Sequence, residues 1–83
     1  MKWDYIQVVQ TVWMPTPGSI DRRPVEIWGD WSYGQSEFPN TSLIDILAWL
    51  GKDRWELVSV TEHYAEGDEK ESTAYLRRPT PEA

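Results

Sequence analysis

The stretch WDYIQVVQTVWM, residues 3 to 14, constrains the fold more than any other. Its density of β-branched and aromatic residues predicts a long strand. Successive strand residues point to opposite faces, and here both alternate sets are apolar. Ile6, Val8, Val12 and Met14 form one set, and Trp3, Tyr5, Val9 and Trp13 the other. Such a strand belongs inside a sheet whose two faces both call for cover, by the protein itself on one side and by a partner on the other. The plain alternative is a bulge or register change midway, which would turn the two sets toward one face.

The remaining chain supplies three more strands and one helix. MPTPGS, with Pro15, Pro17 and Gly18, predicts a turn. Pro24 then admits a second strand from Val25 to Tyr33. Val25, Ile27, Gly29, Trp31 and Tyr33 share one of its faces, while Trp28 stands among Glu26, Asp30 and Ser32 on the other. After a loop, Ser42 is a candidate N-cap with Asp45 three residues on, and Asn40 and Thr41 are alternative caps. Leu43, Ile46, Leu47 and Leu50 make one helical stripe, with Trp49 on its flank and Gly51 as the expected stop. WELVSVTEHY (55–64) and STAYLRR (72–78) read as strands joined by an acidic turn carrying Glu66, Asp68, Glu69 and Glu71.

The expected fold is therefore α+β: a single domain over 1–79 with a frayed tail at 80–83. It has a four-stranded, antiparallel-rich sheet in the order ββαββ, neighbour order 2-1-4-3, with one helix on one face. At 83 residues the chain is near the lower limit for a self-sufficient core, and six Trp, four Tyr and one Phe supply the apolar area to build one. Cysteine is absent, so there is no disulfide or thiolate metal site, and a reducing compartment suits the chain. The opening MKWDYIQVV interrupts its apolar residues with polar ones. Neither a signal peptide nor a membrane span is expected, and the cytoplasm is the expected location. A net charge of −6 argues against direct nucleic-acid binding and admits a basic partner, besides keeping a Trp-rich surface soluble.

Three segments carry a family resemblance. They are Trp3-Asp4-Tyr5-Ile6-Gln7-Val8-Val9, the block from Leu47 through Gly51-Lys52-Asp53-Arg54-Trp55-Glu56-Leu57-Val58-Ser59-Val60, and Tyr75-Leu76-Arg77-Arg78-Pro79. Together they resemble the small bacterial and phage family called domain of unknown function 4177. The resemblance covers about half of the chain and implies a small α+β fold; it brings no activity and no catalytic residues. Arg54 stands where that family usually has Gly, so a less tightly turned backbone is expected there. Residues 15–39 form a longer connection than the family's.

No catalytic or cofactor pattern emerges. His63 is the single histidine, so a Ser/His/Asp set has no support, and the glycines are scattered rather than gathered in a phosphate loop. The acids of the 66–71 turn lack the alternate spacing of a calcium loop. Arg77 and Arg78 are adjacent on a strand and point to opposite faces. The expectation is a non-catalytic interaction protein without cofactor or metal, binding a second copy or another protein through Trp28, Trp31, Tyr33, Trp3, Tyr5 and Trp13. Two other classes fit. One is an acidic inhibitor or decoy of a nucleic-acid-handling protein, using Glu66, Asp68, Glu69 and Glu71 together with Glu26, Asp30, Glu37 and Glu56; the other is a small-ligand module with a Trp-lined pocket.

Overall fold

In a computed structural model that describes residues 2–13, 18, 20–31, 34–65 and 67–80, the chain forms one antiparallel sheet and one helix. The elements are β1 (Trp3–Trp13), β2 (Asp21–Arg22), β3 (Val25–Gly29), β4 (Glu37–Phe38), α1 (Leu43–Lys52), β5 (Glu56–Ala65) and β6 (Glu69–Pro79). The four-strand expectation is corrected to six, because the connection before the helix adds two two-residue strands, β2 against β1 and β4 against β3. Across the sheet the order is β4-β3-β1-β6-β5. Met14, the turn at Pro15 and Pro17, Ser32, Tyr33, Glu66 and the last three residues lie outside the described residues.

β1 is the central strand, and its pairing with β6 runs without a shift from Trp3↔Pro79 to Trp13↔Glu69. A bulge in β1 therefore does not explain its two apolar faces. The irregularity lies in β5, where the register steps over Val58 between Leu57↔Leu76 and Ser59↔Tyr75. β6 begins at Glu69 rather than at Ser72, so Glu69 and Glu71 are strand residues and only Gly67 and Asp68 are described as turn. At the other end of β6, Thr80 donates from its backbone N–H to Lys2 O and from its hydroxyl to Asp4 Oδ1. That ties down the first residue of the expected tail.

The helix covers the even-numbered face of β1. Ile6 and Val8 pack there with Val25 and Ile27 of β3, Ala74 and Leu76 of β6, Ile46 and Leu50 of α1, and Trp55. Leu43 and Leu47 complete the helical stripe at the margin. Ten helical residues span about 15 Å, whereas the molecule is 50 Å long and 17 to 21 Å across. Only part of one sheet face can be roofed.

Both helix ends are fastened by specific bonds. Ser42 Oγ accepts from the Asp45 N–H, the expected N-cap. A second orphan donor, the Leu43 N–H, goes to Oε1 of Gln10, a residue of β1 only 5% exposed. Gln10 Nε2 donates to Thr41 O at 2.9 Å and, more weakly, to Arg23 O at 3.4 Å. At the other end Gly51 does not stop the helix, which continues to Lys52. The chain reverses at Arg54, whose φ is +66°, with Trp55 N–H donating to Leu50 O and Arg54 N–H to Gly51 O. This is a Schellman closure, sealed by Trp55 and Leu50 in the core. The looser turn expected at Arg54 is thus corrected: Arg54 adopts the left-handed conformation that glycine adopts freely. Replacing it, Arg54→Gly, should relieve that conformation and raise stability by about 0.5–1 kcal/mol. Thermal unfolding should show a melting temperature higher by a few degrees, and a fall would contradict this reading of the helix end.

Candidate interaction surface

The face of the sheet opposite the helix is built from odd-numbered residues of β1 and their cross-strand neighbours. Tyr5 stands opposite Arg77, Gln7 lies between Trp28 and Tyr75, and Val9 lies between Glu26 and Thr73. Thr11 opposes Glu71, and Glu26 opposes Glu37 of β4. Trp28 is 58% exposed, Tyr5 55% and Tyr75 37%, and together they border a shallow depression of about 360 Å³. Farther along the same face a second depression, of about 480 Å³, is lined by Glu26, Glu37, Glu69 and Glu71 with Arg23. One end of the face is aromatic and the other is acidic.

Local chemistry explains why Trp28 points outward. β3 ends at Gly29, whose φ of +108° no larger residue adopts easily and whose added Cβ would lie 2.6 Å from Tyr5 O. Asp30 then completes the pairing with β1, taking the Tyr5 N–H on Oδ2 and giving its own N–H to Tyr5 O. Beyond it the chain turns, with Trp31 N–H donating to Gly29 O. The expected strand to Tyr33 is therefore corrected to one ending at Gly29. Trp28 stays on the open face, held to its strand neighbour by Nε1–H donating to Glu26 Oε2 at 3.2 Å.

Of the other aromatic residues expected to meet a partner, Trp31 lies on the helix side. It packs edge-on against Trp49 with ring centroids 5.9 Å apart and contacts Trp55 at 6.4 Å, while Phe38 meets Trp49 at 5.6 Å. The long connection is thereby fastened over the helix flank. Trp3 carries the Arg77 guanidinium over its ring at 4.2 Å, with Glu56 Oε2 3.7 Å from Arg77 Nε. Trp13 donates from Nε1 to Gly67 O across the β5–β6 hairpin. Arg78 goes to the opposite side, over Trp55 at 4.5 Å and 2.8 Å from Asp53 Oδ2.

Of the four acids of the turn, Asp68 has φ +65° at the hairpin tip, and Glu69 and Glu71 line the acidic depression beside Glu26 and Glu37. Tyr75, outside the expected binding set, belongs to this face as well. Its alternation with Ala74 and Leu76 carried the signal, since those two face the core. Among the described residues no cluster of three or more His, Asp or Glu is arranged to hold a metal ion, and no helix is long and apolar enough to cross a membrane. No family model, curated protein or solved structure matches the chain.

The geometry separates two neighbouring residues by role. Trp28→Ala should change unfolding free energy by no more than about 0.5 kcal/mol, as for an exposed position. Gly29→Ala should lower it by about 1–3 kcal/mol through strain against β1. Denaturant titration of both variants checks this, and a large loss for Trp28→Ala would place its ring in the core.

Proposed function

We propose that the protein is a non-catalytic, cytoplasmic interaction domain whose open sheet face binds a partner protein. The observation that carries this reading is the trio Tyr5, Trp28 and Tyr75, three amphipathic rings around Gln7 that border one depression on a face the helix leaves uncovered. Aromatic rings of this kind give large contact area for little lost side-chain freedom, which is why they dominate binding energy at protein interfaces. They need no rearrangement of the core to be reached. Trp31 supports the face from behind, by anchoring the long connection to the helix, rather than by contact with the partner.

A second reading, an acidic decoy for a nucleic-acid-handling protein, is favoured by the four carboxylates that share one depression. The two depend on different side chains: the interaction face needs the Trp28 ring, whereas a decoy needs the carboxylates alone.

Immobilised protein and its Trp28→Ala variant should be compared for what they retain from an extract of the source cells. The expected result is a partner held by the first and lost by the second. Solution mass measured in parallel tells a second copy from another protein. Retention unchanged in Trp28→Ala would overturn the reading, and retention abolished in Glu37→Gln/Glu71→Gln but unchanged in Trp28→Ala would favour the decoy.

A further inference from the structure

Along the open face the aromatic and acidic depressions follow one another in strand register. The Trp28–Gln7–Tyr75 row, the Glu37–Glu26–Val9 row and the Thr11–Glu71 row lie at successive odd positions of β1. Adjacent rows are two residues apart, or about 7 Å at the usual strand rise. That is also the spacing of same-side side chains in any extended peptide.

The chemistry of each row suits a guanidinium. A planar cation that is weakly hydrated stacks on an aromatic face and forks onto a carboxylate. The protein uses this pairing on the same face: the Arg77 guanidinium sits over Trp3 with the Glu56 carboxylate beside it. At Trp28 a ring and a carboxylate are again held together, by the hydrogen bond to Glu26. The next rows present Glu37 and Glu71, and the depression they border has four carboxylates to one guanidinium. A chain of net charge −6 adds long-range attraction for such a ligand.

We infer that the open face receives an extended, arginine-rich segment of a partner protein, laid along the strands with arginines on alternate residues. One arginine stacks on Trp28 and the next two reach the carboxylates. This rests on the open face being the binding surface, and it adds the chemical class and register of what binds there.

The test is fluorescence anisotropy with a labelled synthetic peptide of alternating Arg and Ser. The intact protein should bind it, and replacing each Arg by uncharged citrulline should weaken binding at least tenfold. Trp28→Ala and the double variant Glu37→Gln/Glu71→Gln, all at exposed positions, should each weaken it by about tenfold. A peptide with the same arginines placed contiguously should bind at least threefold more weakly. Absence of binding, equal binding by Trp28→Ala, or indifference to the spacing of the arginines would overturn the inference. If the peptide is ignored while Trp28→Ala still loses the partner retained from extract, this inference alone fails. If Trp28→Ala changes neither, the interaction-face reading fails with it.

Discussion

The buried carboxamide of Gln10 is the contact on which the arrangement turns. It sits at the edge of an otherwise apolar cluster, on the central strand, and satisfies backbone groups from two separate connections. By accepting from Leu43 N–H it takes one of the helix's orphan donors, and by donating to Thr41 O it fixes the loop just before the N-cap. A leucine of similar size would take that partner from both groups in a part-buried site, at up to about 1–3 kcal/mol each. For a domain of this size that is a large share of total stability. One polar side chain thus fixes the start of the helix over the sheet, while Ile46 and Leu50 seat its apolar stripe on Ile6 and Val8.

That choice divides the labour of β1. Its even residues, Ile6 and Val8, are sealed beneath α1, and its odd residues Tyr5, Gln7 and Val9 are left to the open side. The two apolar parities belong to two surfaces of one regular strand. A short helix over a long sheet leaves half-exposed apolar residues elsewhere too, such as Leu57 and Val60 on β5. They sit side by side on the helix side of an edge strand, opposite Leu76 and Ala74, and that strand carries a bulge, a feature that discourages further pairing. The open-face aromatics differ, because they border one depression and have carboxylates in the next rows along the strand.

Features set by local chemistry were legible in the sequence. The Ser42 cap and the stripe of Leu43, Ile46, Leu47 and Leu50 depend on residues within a few positions of one another, and they stand as spacing predicts. Trp28 was legible on its polar face for the same reason, through simple alternation. What escaped depended on distant partners. β3 stops at Gly29 because Tyr5, twenty-four residues earlier by number, presents its carbonyl there and Asp30 closes the pairing. The polar run Glu69-Lys70-Glu71 looked like turn, yet full-length pairing with β1 draws it into the sheet. The meeting of Glu26, Glu37, Glu69 and Glu71 is a property of register alone. Arg54 shows the converse case, where a closure common with glycine forms around a residue that disfavours it.

Helix α1 covers Ile6 and Val8 on the even face of β1 and leaves Tyr5 and Trp28 on the opposite face to solvent. Hydroxyl-radical footprinting of the monomer, read residue by residue, tests it directly. Rapid modification of Trp28 and Tyr5 is expected, with strong protection of Trp55, which is 4% exposed. Protection of Trp28 and Tyr5 in the monomer, with Trp55 readily modified, would contradict it.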